Sequence, residues 1–197
     1  MPSVASNRQI IHGVIWKQIL LFFFPILLGS FFQQLYNTVD AIIVGRALGT
    51  EALASVGASS PILNLVYGFF IGISSGATVI LSQAYGAGDW ERAKKTLHTA
   101  MALALTLGAF IAVAGVLLAP RVLALIGTPE TCMDDAILYC RVYFGGAAAS
   151  MVYNMGAGIL RAMGDSRRPM IFLMVCCFVN IAADLLFIYV FRMGKHK

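Results

Sequence analysis

Apolar residues in this chain run in five long blocks, at about residues 14–44, 52–85, 93–119, 135–163 and 169–191. A helix needs roughly 20 apolar residues to cross a bilayer, so each block predicts one membrane-spanning helix. The breaks between blocks have the chemistry of turns. Gly86-Ala87-Gly88-Asp89 separates the second block from the third, Pro120 closes the third, and Gly164-Asp165-Ser166 separates the fourth from the fifth. Pro25 lies inside the first block, where it removes one backbone hydrogen bond and permits a bend. The stretch 19–32 behind Lys17 has the shape of a signal peptide, but no small-x-small cleavage site comes after it. Gln33, Gln34, Leu35, Tyr36 and Asn37 come next, so the block reads as a retained helix with a polar second half.

Composition sharpens the class. Of the 197 residues, 59% are apolar and 12% charged, against about 45–50% and about 25% in soluble domains. That balance excludes a disordered chain, a collagen-like fibre and a water-soluble globule. The fold class it predicts is all-α and integral to the membrane. The formal charge of +5 does not indicate nucleic acid, because the cations sit in short clusters between apolar blocks and form no basic face. Their distribution gives an orientation instead. Arg8, Lys17, Arg92, Lys94, Lys95, Arg161, Arg167 and Arg168 share one side, and Arg46, Arg121 and Arg141 the other. Positive-inside placement puts segment 1–13 in the cytoplasm of a multi-pass cell-membrane (inner-membrane) protein. Arg192, Lys195 and Lys197 in the tail, 192–197, then fall outside, against the rule, as if the chain stopped early.

Polar residues within the blocks carry the candidate chemistry. Gln33, Asn37 and Asp40 recur at helical spacing and share one face of the first span. An ionisable residue among apolar neighbours costs about 2.5–3.5 kcal/mol on insertion scales, which points Asp40 towards a protein interior or a watery cavity. The other reading is that Asp40 ends its span and is solvated at the interface, since Gly45-Arg46 comes shortly after. Asn180 and Asp184 stand one turn apart in the fifth block. Two intramembrane carboxyls on different helices can share a proton or bind a small cation, and hard oxygen ligands suit sodium. Hydrogen bonds that glue helices are the alternative for Asn180 and Asp184. Milder stripes occur on the fourth block (Tyr139, Tyr143, Ser150, Asn154) and the second (Asn64, Tyr67, Ser75, Thr78, Ser82). Gly68, Gly72 and Gly76 form two overlapping GxxxG steps and predict close helix packing.

Other chemistries lack their motifs. Cys132, Cys140, Cys176 and Cys177 show no CxxC spacing, and His12, His98 and His196 form no helical pair, so no zinc site is expected. Walker, GxSxG and dinucleotide patterns are missing, and no enzyme is expected. An intramembrane aspartyl protease is disfavoured, because Ala182-Ala183 and Thr38-Val39 precede the two aspartates in place of a Gly-x-Gly context.

Jointly these residues resemble the multidrug and toxic compound extrusion (MATE) family. The resemblance is carried by Pro25, Gln34-Leu35-Tyr36-Asn37-Thr38-Val39-Asp40, Val44-Gly45, Leu48-Gly49 and Ala52-Leu53-Ala54-Ser55-Val56-Gly57. It continues through Ser82-Gln83-Ala84-Tyr85-Gly86-Ala87-Gly88-Asp89, Arg161-Ala162-Met163-Gly164-Asp165 and the run from Asn180 to Asp184. It implies a fold of two six-helix bundles around a central cavity, of which this chain is an incomplete N-terminal lobe. It further implies export of organic cations or other drug-like molecules in exchange for protons or sodium, with no other cofactor. By resemblance, Asp40, Asn180 and Asp184 form the cation-responsive site, and Tyr36, Asn37 and Asn154 line the cavity. Alternating access rocks two bundles against each other, so one lobe is expected to be inactive without a C-terminal lobe or a second chain. A lipid-linked sugar flippase of the same superfamily would favour a cationic cavity. A non-transporting scaffold would tolerate loss of both aspartates.

Overall fold

The computed structural model describes residues 15–47 and 49–186. Segments 1–13 and 192–197, and the end of the block expected at 169–191, lie outside the described residues. Among the described residues six helices occur in order: α1 (Ile15–Ala47), α2 (Thr50–Gly86), α3 (Trp90–Leu125), α4 (Glu130–Gly145), α5 (Ala147–Ala162) and α6 (Arg167–Leu185). Four of them contain stretches long and apolar enough to cross a membrane: Ile19–Ile43, Leu53–Gly86, Trp90–Leu125 and Arg167–Leu185.

The block read as one span over 135–163 is two helices, α4 and α5, of 16 residues each. Only Gly146 separates them, in right-handed helical conformation (φ −88°, ψ −3°), so the block stays one helical path over 130–162, kinked at that residue and about 50 Å long at 1.5 Å per residue. The ladder breaks at Gly146, whose N–H bonds to the Tyr143 carbonyl in a tightened turn, at 3.0 Å. Polar Tyr139, Tyr143 and Asn154 of this segment are partly buried, while Leu138 and Val142 beside the two tyrosines are exposed.

Helices α2 to α5 form the packed body. Phe70, Ala104, Leu123, Ala136, Cys140, Met151 and Met155 are fully buried at its centre. Helix α5 packs against both α2 and α3, and α4 packs against the same two. Small residues permit this closeness. A β-carbon on Gly108 of α3 would lie 2.8 Å from the Ala148 backbone, and one on Gly115 would enter the Phe144 ring. Gly68, Gly72 and Gly76, by contrast, are exposed, and a β-carbon on any of them would meet nothing within 4 Å. The packing glycines are Gly108, Gly115 and Gly158, outside the GxxxG steps. Helices α1 and α6 pack chiefly on each other and touch the body mainly through α2 and α5.

The outward faces are strongly apolar. Phe110, Val113 and Leu117 on α3, and Val175, Phe178 and Val179 on α6, are more than half exposed. So large an apolar surface is suited to lipid and not to water.

The turns α2–α3 and α5–α6 are built alike. Gly88 (φ 73°) and Gly164 (φ 86°) adopt the left-handed conformation that ends a helix. The next N–H groups, of Asp89 and Asp165, reach back to the carbonyls of Ala84 (3.0 Å) and Leu160 (2.9 Å). Each aspartate then caps the start of the next helix: Asp89 Oδ1 accepts from the Arg92 N–H (3.0 Å), and Asp165 Oδ1 from those of Arg167 and Arg168 (3.1 and 3.2 Å). Asp89→Ala is expected to cost about 1 kcal/mol, measured as a lower thermal midpoint of the chain in detergent.

Candidate functional site

Helices α1 and α6 run parallel along a seam that ends in charge. Gly29 of α1 lies against Met170 and Leu173, where a β-carbon would sit 3.8 Å from each. One turn of α6 beyond Leu173, the Cys177 thiol donates to the Phe32 carbonyl at 3.8 Å. At the far end of the seam the Asp40 and Asp184 carboxyls come within hydrogen-bonding contact. The Oδ2 oxygen of Asp184 is buried and has no hydrogen-bond partner among the described residues. Advancing α1 from residue 29 to 40 and α6 from 173 to 184 covers the same axial distance, which is why the two carboxyls meet. Asp40 stands three residues before the end of the apolar stretch Ile19–Ile43. It is therefore near the edge of its span and still half-buried against protein.

The body supplies an aromatic wall. Tyr36 on α1 lies within electrostatic reach of Asp40, Tyr67, Tyr139 and Tyr143. Tyr139 on α4 is likewise close to Asp40 and Tyr143. Gln33 donates its side-chain amide to the Tyr67 hydroxyl of α2 at 3.0 Å, tying the polar face of α1 to the body. Tyr67→Phe removes the acceptor and is expected to cost about 1 kcal/mol; a Gln33→Leu, Tyr67→Phe double variant should recover part of it in the same melt.

The six residues expected at the site separate into two groups. The structure brings Tyr36, Asp40 and Asp184 together. Asn37 and Asn180 are exposed on α1 and α6 and make no hydrogen bond to the carboxyl pair. Asn154 lies in the α2–α5 seam: its amide donates to the Ser150 carbonyl (2.8 Å), and its own carbonyl accepts from Ser74 Oγ (2.8 Å). The residues that join the cluster instead are Gln33, Tyr67, Tyr139 and Tyr143. Each stood on a polar stripe in the sequence, but nothing in one chain's pattern says which stripes face each other.

Residues 25–186 match the family model described as MatE. A probable multidrug resistance protein of Bacillus subtilis, YoeA, is 35% identical over 92% of this chain and 39% of its own length. A second from the same organism, YpnP, is 34% identical over 93% of this chain and 41% of its own. Among solved structures, a MOP superfamily transporter from Pyrococcus furiosus superposes with a TM-score of 0.88 at 31% identity, over 94% of this chain and 41% of that one. A helical lobe with membrane-length apolar helices and this likeness thus falls in the class of membrane-transporter domains. The chain belongs to the MATE family and corresponds to an N-terminal portion of such a transporter. It spans about two fifths of the length of the curated relatives it matches.

Proposed function

We propose that this chain is the ion-coupling lobe of a drug-exporting antiporter in the cell membrane, with its N-terminus in the cytoplasm. The observation that carries the reading is the meeting of Asp40 and Asp184 at the end of the α1–α6 seam. Two carboxyls in contact, one of them with a buried oxygen, repel each other unless a proton or a small cation lies between them. Protons or sodium would therefore close this end of the seam, and ion release would loosen it. Helices α1 and α6 pack mainly on each other and only lightly on the body, so their shift repositions Tyr36 against Tyr67, Tyr139 and Tyr143. The ion thereby biases two arrangements with different affinity for a substrate, a population shift. Aromatic faces and carboxyls suit organic cations and other flat drug-like molecules. The carboxyls and amides near the seam disfavour the flippase alternative, which calls for a cationic cavity.

A C-terminal lobe or second chain completes the transport cycle in this reading. Reading the coding sequence beyond codon 197 tests that part: further spans are expected, and unrelated sequence would favour a separate partner. The activity is tested with the completed transporter in vesicles, using a fluorescent organic cation and an imposed proton or sodium gradient. Movement driven by one gradient is expected. Indifference to both would overturn ion coupling.

A further inference from the structure

Helices α3 and α6 flank α5 without packing closely on one another. Between them lies a cavity of about 410 Å³, lined by Leu97 and Met101 of α3, Tyr153, Gly156 and Leu160 of α5, and Phe172 of α6. Gly156 and Ala157 keep its floor low, and a β-carbon on Gly156 would meet nothing within 4 Å. The polar atom of Tyr153 is turned aside towards the Pro169 carbonyl, at 3.5 Å. The lining is otherwise apolar, and the groove opens on the lipid-facing side, where Phe172 is half exposed.

One end of this groove is strongly basic. The lining comes from the beginning of α3, the end of α5 and the beginning of α6, all at one membrane face. Lys94 precedes Leu97 by one turn, Arg161 adjoins Leu160, and Arg168 precedes Phe172 by one turn. The two turns at this face hold Arg92, Lys94, Lys95, Arg161, Arg167 and Arg168 against Asp89, Glu91 and Asp165. Lys95 pairs with Glu91 (3.9 Å) and Arg168 with Asp165 (3.1 Å). Among the described residues, Lys94 and Arg161 have no carboxylate partner. An apolar slot with unpaired cations at its mouth matches an acyl chain carrying an anionic headgroup.

We propose that the groove between α3, α5 and α6 binds an anionic phospholipid, with an acyl chain along Met101, Gly156 and Phe172 and the phosphate at Lys94 and Arg161. Size favours a lipid over a polypeptide. One turn of a helix about 10–12 Å across displaces roughly 420–610 Å³, so a helix can lie over this groove but not in it.

The test places the 197-residue chain in vesicles of phosphatidylcholine and phosphatidylglycerol. Phe172→Trp reports from the groove wall, with Trp16 and Trp90 changed to Phe. Brominated acyl chains quench the reporter on contact. Brominated phosphatidylglycerol is expected to show about fivefold stronger association than brominated phosphatidylcholine, the effect of roughly one cation near a membrane surface. Lys94→Gln with Arg161→Gln should remove that preference, and Gly156→Leu should reduce quenching by both lipids. Equal quenching in the parent would mean ordinary surrounding lipid, and no quenching would mean that polypeptide covers the groove; either overturns the proposal. If the tryptophan variant does not fold, native mass spectrometry of the unaltered chain counts the two lipids it retains, and equal retention is likewise fatal.

Discussion

Asp40→Asn is expected to reduce gradient-driven export of an organic cation by about 100-fold in the transporter that contains this segment. That factor corresponds to losing a coupling free energy of roughly 3 kcal/mol between ion and substrate. The substitution keeps the shape of the side chain and removes its charge, so it acts on coupling and not on packing. Asp40 is the hub of the cluster, within electrostatic reach of Tyr36, Tyr139 and Asp184. Asp184 reaches the tyrosines only through Asp40, so Asp184→Asn should cost less, about 10-fold, because a lone carboxyl still exchanges a proton. Glu91→Gln, on the exposed first turn of α3, provides the control and should leave export unchanged. Normal export by Asp40→Asn, at normal protein level in the membrane, would sink the assignment.

The contrast between the two aspartates and the three asparagines shows what a single sequence can carry. A carboxylate inside an apolar block is expensive wherever it points, so Asp40 and Asp184 were legible as candidate positions without any knowledge of neighbours. An asparagine is cheap by comparison and can satisfy itself locally, as Asn154 does on the Ser150 carbonyl. Its presence in a span therefore says little about direction. The four tyrosines present the opposite difficulty. Tyr67, Tyr139 and Tyr143 lay on visible stripes, but their convergence on Tyr36 depends on how α2 and α4 are rotated about their axes. Rotation is set by packing of the body, which the hydrophobic pattern of a lipid-embedded helix hardly encodes, since lipid and core are equally apolar. The split of the fourth block into α4 and α5 was hidden for a related reason: Gly146 sits between two other small residues, Gly145 and Ala147, and marks no obvious boundary.

Glycines offer the sharpest measurement of that rotation. Gly158→Leu is expected to destabilise the chain by about 3 kcal/mol, the upper end of the range for overpacking. Gly158 is buried in the α2–α5 seam, where even a β-carbon would overlap Ser74 Oγ and Thr78 Oγ1 and sit 3.4 Å from the Ser74 carbonyl oxygen. Those hydroxyls have little freedom to move. Ser74 Oγ holds the Asn154 carbonyl at 2.8 Å, and Thr78 Oγ1 holds the Ser74 carbonyl at 2.7 Å. Any larger side chain must therefore push α2 and α5 apart and break the Ser74 bond, which leaves the Ser74 hydroxyl without its acceptor in the body. For a chain of this size the loss corresponds to a fall of roughly 10 °C in the thermal midpoint, read by size-exclusion chromatography after heating in mild detergent. Gly72→Ala on the same α2 should behave in the opposite way. Its β-carbon enters open space, and alanine gains up to about 1 kcal/mol over glycine in a helix interior. If Gly72→Ala lowered the midpoint and Gly158→Leu did not, α2 would have to be turned so that its GxxxG face meets the body. The Gln33–Tyr67 bond and the tyrosine wall around Asp40 would then be lost with it.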